Sequence, residues 1–296
     1  MIYDIRLRMT YTYASTASGG RHLVRLMPAD LPGEQRLVAG HLDLTPAPNE
    51  RRDRFDFFGN RVTDFGLAGS YAKLAVRLTA RVDRAAQVPA GEPTALARIA
   101  QDCAAIASVA PDAPLHFRAP SPRVPQDAAI AAYAADICRP GLDTRAAVRA
   151  LGEALHHDMR YDPDATEVDT PAAEAFAARH GVCQDFSHVM IAGLRSLGVP
   201  AGYVSGFLCT RPPPGKPRLE GADAMHAWVR AWCGLHAGWV EYDPTNAVFA
   251  GEDHIVVARG RDYFDVSPIK GAMRVSGRQR STQAVDVIPL IAPAQG

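Results

Sequence analysis

A chain of 296 residues with 47% hydrophobic and 22% charged residues has the make-up of an ordinary globular protein of roughly two domains. Its 32 Lys+Arg balance 32 Asp+Glu, which argues against a general nucleic-acid binder, since that role needs excess cations to displace counterions from phosphates. No apolar run approaches the ~18 residues of a membrane-spanning helix, and the opening MIYDIRLRMTYTY lacks the apolar core and cleavage site of a secretory leader, so a cytoplasmic address without a membrane partner is expected.

Residues 1–85 are predicted to be β. IRLRMTYTY and YAKLAVRLTARV alternate, RHLVRLMPA and VAGHLDLTPAP are short runs ending in Pro, and Ser18-Gly19-Gly20, Pro32-Gly33 and Phe58-Gly59-Asn60 supply turns. This punctuation favours an antiparallel sandwich or open barrel, and no nucleophile, base and acid gather in it. A scaffold or recognition domain is expected. Residues 86–140 form the next segment, a helical, Pro-rich connector. TALARIAQDCAAIAS (94–108) is Ala-rich and helix-like, Pro111, Pro114, Pro120, Pro122 and Pro125 mark an irregular link, and a second helix is predicted from Asp127 to near Arg139-Pro140-Gly141.

The segment 141–296 carries the rest. A helix is predicted after Asp143, an N-cap candidate, because Val148, Leu151, Leu155 and Met159 recur at helical intervals. Thr170-Pro171 signals another start, with a capping hydroxyl and then Pro at the first helical position, and that helix is expected to end at Gly181. The next opens around Cys183, carries Phe186, Met190, Leu194 and Leu197 as a stripe, and stops at Gly198, with Pro200 preventing resumption. AGYVSGFL, HAWVRAW and WVEYD read as strands. Helices succeeded by strands make an α+β domain.

Cys103, Cys138, Cys183, Cys209 and Cys233 are scattered without a C-x-x-C pair, which points to reduced thiols rather than a disulfide framework. Cys183 differs in standing at an expected helix N-terminus, where unpaired N–H groups and the helix dipole favour a thiolate, the nucleophilic form, and can bind a developing oxyanion. A buried apolar thiol is the plainer use of the same position. Among the ten histidines, His188 lies on the same helix but faces away from Cys183 and reads as packed or outer-layer; His180 has nothing to orient it, and His156 and His157 read as solvated. His226 opens the strand HAWVRAW. If 226–232 and 237–243 form a hairpin, joined by the four-residue Cys233-Gly234-Leu235-His236, residue 226 faces Asp243 directly. An imidazole beside a carboxylate, set against a helix bearing a thiol, is the arrangement of a thiol triad; a His–Asp pair that only stabilises the hairpin is the alternative. A slip of one residue would separate the two. His180, Cys183 and His188 are a competing metal set, disfavoured because the helix directs Cys183 and His188 apart. The Gly-rich pieces match neither a phosphate loop nor a dinucleotide fingerprint, and nothing calls for a cofactor.

GVCQDFSHVMIAGLRSLGVPAGYVSGFL and MHAWVRAWCGLHAGWVEYDPTNA resemble the core of the transglutaminase-like superfamily of papain-like cysteine enzymes. FDFFGNRVTDF resembles the N-terminal β-domain of its bacterial branch, and GRDYFDVSPIKG the segment after the triad, so the likeness spans nearly the whole chain. The resemblance implies Cys183 as nucleophile, His226 as general base and acid, Asp243 as orienting carboxylate, and acyl transfer at a peptide or protein amide through a thioester. Water as acceptor gives a hydrolase; a lysine amine gives a cross-linker; a non-catalytic peptide-binding module or a structural assembly protein on the same fold are the non-enzymatic rivals. The chain departs from its relatives by lacking the upstream Gln or Trp that helps build the oxyanion hole, leaving Tyr161 or Gln184 as substitutes, and it has no EF-hand-like calcium loop.

Overall fold

A computed structural model describes residues 1–86, 91–210, 221 and 223–290, so the start of the expected connector (87–90) lies outside the described residues. Alternation decides the first sheet. In β1 (Ile2–Val24) the residues Tyr3, Ile5, Leu7 and Met9 are buried while their neighbours face outward, which is the two-residue period of a half-buried strand. After β2 (Gln35–Thr45) and β3 (Glu50–Phe55), the long β4 (Arg61–Arg84) returns antiparallel along β1, with Leu7 opposite Leu78, and takes β2 and β3 on its other side. Register breaks between Thr12 and Ala17 and between Ser18 and Gly20 bend the pair, and the sheet curls into a half-barrel.

The connector is less helical than its alanines predict. Only a short 3-10 turn at Leu96–Arg98 and α1 (Ile99–Ala104) form within 94–108, because only Ile99 and Cys103 find a core to bury in, and α1 has no side-chain cap. α2 (Ala128–Ile137) and α3 (Thr144–Asp158) form where expected, capped by Asp127 and Asp143, whose carboxylates accept from Ile130 N and Ala146 N. After β5 (Arg160–Tyr161) comes α4 (Ala172–Ala178). Its cap position is Pro171, and Thr170 Oγ1 instead accepts from Glu167 N; the helix ends at Arg179, which takes the left-handed conformation (φ 57°), two residues before Gly181. His180–Gly181 forms β6, parallel to β5.

α5 (Cys183–Ser196) is the buried spine of the core: every residue from Gln184 to Leu194 is buried, because α2, α3 and α4 cover one side of it and a sheet covers the other. Its end is a Schellman turn, in which Gly198 N donates to Arg195 O and Val199 N to Leu194 O, and the φ of +82° at Gly198 is one that only glycine adopts cheaply. The sheet comprises β7 (Ala201–Leu208), β8 (Ala224–Trp232), β9 (Trp239–Asp243), β10 (Val248–Phe249) and β11 (His254–Gly260), in the order β10-β9-β8-β7-β11. The chain then turns through α6 (Tyr263–Val266) and returns to the first sheet. β12 (Ile269–Arg274) and β13 (Gln279–Leu290) pair with β1 on the edge that β4 leaves open, so the last strands make the first strand an interior one.

Gln35 rivets the two sheets: its amide donates to Ala29 O and Val256 O and accepts from Val256 N, supplying the hydrogen bonds of a missing strand. Beside it, Arg259 bridges Glu34 and Glu241 with Arg84 alongside, a buried ion cluster held by multiple contacts. Among the described residues no helix is long and apolar enough to cross a membrane.

Candidate active site

Cys183 is the first residue of α5, half-buried, while the other four cysteines are buried; none of the five is in a disulfide. The approach to it is tight. A Cβ on Gly181 would come 2.6 Å from Asp185 Oδ2, so only glycine lets the chain pass. Asp185 Oδ2 in turn accepts from Val182 N (2.8 Å) and Thr166 Oγ1 (2.6 Å), closing the helix start with a carboxylate at its positive end. The N–H groups of Cys183 and Gln184 precede the first bonds of the helix, which begin with Asp185 N and Phe186 N on Val182 O, and so have no acceptor within it.

His226 reaches this thiol from β8. Its Nε2 lies 2.7 Å from Asp243 Oδ2, and Cys183 is close enough to act on the same ring, so with Nε2 taken by the carboxylate Nδ1 is the nitrogen left for the sulfur. The hairpin register differs from the expected one. Trp232 pairs with Trp239 and Val229 with Tyr242, a shift of two residues, because the connection runs from Cys233 to Gly238, with Cys233 N donating to Gly238 O and Gly238 N to Gly234 O. His226 and Asp243 are therefore diagonal rather than directly opposed. They remain on one face, and diagonal neighbours are within reach of a long side chain.

Asp243 is fully buried and accepts from five donors. Oδ1 takes Thr245 N (2.9 Å) and Asn246 N (3.2 Å), an Asx turn; Oδ2 takes His226 Nε2, Asn246 Nδ2 (2.7 Å) and His254 Nε2 (3.1 Å). Burial opposes its charge, but the hydrogen bonds from the two histidines outweigh it, holding the carboxyl well below its usual range. Burial likewise opposes protonation of His226, yet its hydrogen bonds to Asp243 and Cys183, with their charges, raise it to about 10. The result favours an imidazolium beside the sulfur at neutral pH.

Asn246 and His254 escape sequence reasoning. Asn246 carries a local signal, lying three residues after an Asp in a Pro-containing turn; His254 has none, because it arrives on β11 from the far edge of the sheet. Its Nδ1 accepts from Gly251 N (3.3 Å), which leaves the proton on Nε2 and makes that atom a donor to Asp243. Among the described residues, His226, Asp243 and His254 are the one cluster with three ligand-type atoms within 4.8 Å of one another. Their contacts have hydrogen-bond lengths, and a protonated Nε2 on His254 offers a metal no lone pair. Trp228 braces both rings, 6.2 Å from the His226 centroid and 5.2 Å from that of His254, and is itself fixed by Nε1 donating to Glu241 Oε2 (2.8 Å).

The remaining sequence candidates separate. Tyr161 pairs with Gly181, two residues before Cys183, and is 53% exposed; burial of part of its ring and the charge of the nearby sulfur raise its pKa. Gln184 Nε2 donates to Val168 O (2.9 Å), so its amide is committed to the loop before α4. His188 is buried against Tyr203 and accepts from Tyr263 N (3.2 Å) through Nε2; burial pushes it down to about 4, keeping it the neutral acceptor this bond needs. It packs and does not join His180 and Cys183.

The family model of the transglutaminase-like superfamily matches residues 131–244, which hold Cys183, His226 and Asp243, and that of the bacterial transglutaminase-like N-terminal region matches residues 3–83. The uncharacterized protein Rv2569c of Mycobacterium tuberculosis is 34% identical over 297 residues, covering 97% of this chain and 92% of its own length. The chain belongs to the transglutaminase-like superfamily. A second relative, the uncharacterized protein ML0607 of Mycobacterium leprae, is 33% identical over 264 residues, covering 88% of this chain and 89% of its own. A candidate cysteine protease from Cytophaga hutchinsonii has the same fold, with a TM-score of 0.76 at 21% identity over 99% of this chain and 92% of that one. The transglutaminase-like core is thus the helix–sheet unit around α5, and the bacterial N-terminal region is the half-barrel built on β1 and β4.

Proposed function

We propose that this transglutaminase-like protein is a cysteine-dependent amide hydrolase acting on peptide or protein substrates through a thioester, with Cys183, His226 and Asp243 as its catalytic triad. The observation that carries the reading is the hydrogen bond from His226 to a buried, ionised Asp243, with Cys183 at the start of α5 beside the same ring. His226 Nδ1 takes the thiol proton, and the sulfur attacks the amide carbonyl carbon, forming a C–S bond and an oxyanion. Collapse breaks the C–N bond, and His226 returns the proton to the departing amine. Water then attacks the thioester, giving its proton to His226 and releasing the acid and the thiol. Asp243 holds the ring with Nε2 protonated throughout, which is the tautomer that leaves Nδ1 free to accept.

The oxyanion is held by the N–H of Cys183 and the hydroxyl of Tyr161. Tyr161 is preferred over Gln184 because its side chain feels the charge of the nearby sulfur while the glutamine amide is committed to Val168 O. Water is preferred over a lysine amine as acceptor, since the neutral chain and the absence of an EF-hand-like calcium loop give no sign of calcium-regulated cross-linking.

Mass spectrometry of a peptide library, with and without an added primary amine, tests both levels. Cleavage products that vanish in Cys183→Ala support the hydrolase; amine adducts outpacing hydrolysis transfer the reading to cross-linking. Peptides retained unchanged, with equal affinity in Cys183→Ala, make the cleft a binding module and overturn the enzymatic reading.

A further inference from the structure

A cleft of about 480 Å³ lies where the half-barrel meets α6, away from Cys183. Its charges do not balance. Arg25, Arg261 and Lys270 line it against two carboxylates, Asp56 and Asp265. Both carboxylates are spent. Asp56 Oδ1 accepts from Phe58 N and Asn60 N, and its Oδ2 from Asn60 Nδ2 and Arg25 Nε, so four donors share one charge. Asp265 accepts from the backbone N, Nε and Nη2 of Arg261.

Two cationic groups are left under-satisfied. Arg25, nine-tenths buried, has an Nη1 with no hydrogen-bond partner, and a buried guanidinium nitrogen without an acceptor is a costly orphan. Lys270 has no carboxylate within ion-pair distance among the described residues; its ammonium donates to Phe264 O and sits 3.6 Å from the centroid of the Phe264 ring. Burial and the nearby Arg25 lower its pKa, outweighing the more distant charges of Asp265 and Asp262. The walls are aromatic and open to solvent: Phe57 is 56% exposed and Phe264 49%. His116 meets the Phe57 ring edge-on at 5.2 Å.

We infer that this cleft is a binding site for a carboxylate carried on an aromatic or apolar body, the anion held by Lys270 with Arg25 behind it and the body lying against Phe57 and Phe264. A carboxylate would give Lys270 the counter-ion it lacks and relieve the charge excess. A strongly hydrated inorganic anion would leave both phenyl rings uncovered. The inference stands apart from the acyl-transfer reading, because binding here requires no turnover at Cys183. The cleft is nonetheless linked to the thiol's surroundings: Tyr263, the residue before Phe264, donates its N–H to His188 on α5 and packs on Tyr203 at 6.2 Å between ring centroids.

Isothermal titration of the full-length protein with 3-phenylpropionate, 3-phenylpropionamide, acetate and inorganic phosphate tests this directly. Phenylpropionate binds, its affinity falls with added salt, and it is at least ~10-fold tighter than each of the other three. Lys270→Met and Phe264→Ala each weaken it by ~10-fold or more while leaving circular dichroism and Tm unchanged; Cys183→Ala leaves the affinity as it is. Equal binding of the amide, or unchanged affinity in Lys270→Met, would refute an anion site. Equal binding of acetate or phosphate would refute the aromatic subsite, and loss of binding in Cys183→Ala would move the ligand to the thiol cleft and overturn the assignment.

Discussion

Asp243→Asn removes the charge on which His226 depends while leaving a side chain of the same size. The native carboxylate accepts five hydrogen bonds, two on Oδ1 from backbone N–H groups and three on Oδ2 from side chains. An amide has one oxygen to offer. That oxygen stays with the fixed backbone donors, so the new NH2 faces His226 Nε2, His254 Nε2 and Asn246 Nδ2. To accommodate it, His226 moves its proton to Nδ1, toward the sulfur, and loses its capacity to accept the thiol proton. Without the carboxylate, burial is left to press the imidazole down from about 10 to its ordinary 6.5 or below. Taken to 6.5, that fall is on the order of 5 kcal/mol of imidazolium stabilisation, part of which the helix N-terminus replaces by favouring the thiolate. A loss of ~10³-fold in kcat is expected, with KM within ~3-fold. The alkylation rate of Cys183 by iodoacetamide, monitored by peptide mapping between pH 4 and 10, reports the ion pair without a substrate. It should drop by ~10-fold or more near pH 6 and lose its acidic limb. Circular dichroism guards against unfolding. A folded Asp243→Asn protein whose alkylation profile superimposes on the wild type would show the carboxylate to be structural.

Cys183 should alkylate first of the five thiols under limiting iodoacetamide, since it alone is not buried and burial pushes Cys138 and Cys233 up to about 11 and about 12; first labelling of Cys103 or Cys209 would contradict the assignment. His254→Phe takes one donor from Asp243 Oδ2, concentrating its charge on His226, so the alkaline limb of the activity profile should move upward while His254→Gln, which keeps a donor, leaves it in place; an unmoved limb in the Phe variant would deny His254 its positioning role. Burial opposes the charge of Glu241, but Arg259 and Arg84 hold it down at about 2, below its unfolded value, so its contribution to stability is present above about pH 4 and lost as pH falls through about 2. Glu241→Gln should therefore flatten the acid dependence of Tm and lower the stability at pH 7 by the ~3–5 kcal/mol typical of a broken buried ion pair; an unchanged acid slope would exclude Glu241 as its source.

What the sequence could reveal was whatever its chemistry expresses locally. The Asp127 and Asp143 caps, the Phe186–Met190–Leu194 stripe and the glycine stop at Gly198 each act within a turn or two of their own position, and each appears where expected. The Ala-rich 94–108 stretch shows the limit of the same logic, because propensity without a face to bury gives only one short turn of α-helix there. The pairing of β12 and β13 with β1 joins residues that are about 250 positions apart or more, and nothing within either segment encodes it. His254 is hidden for the same reason: its role exists only once β11 lies beside β7, with β7 and β8 between it and the strand of Asp243.

The hairpin bearing His226 and Asp243 shows which kind of sequence inference survives an error. The expected four-residue connection gave way to a loop whose Gly234 and Gly238 both adopt positive φ and whose Cys233 is fully buried, so pairing begins at Trp232–Trp239 and every partner moves by two. Side chains alternate with period two, so an even shift returns every residue to its original face, whereas an odd one exchanges the two faces. Here β8 is buried on both faces from His226 to Trp232, and what differs between the faces is chemistry rather than exposure. On β9, Tyr242 lies against Gly152 of α3, while Glu241 on the other face accepts from Trp228 Nε1 and Arg259 Nε. An odd shift would put Glu241 and Asp243 where Val240 and Tyr242 pack, and take both carboxylates from their donors. The face shared by His226 and Asp243 is therefore set by the side-chain chemistry of the strands, and the number of the opposing residue by the loop. The first is written in the strand itself, and it is what brings an imidazole on β8 to a carboxylate at the end of β9.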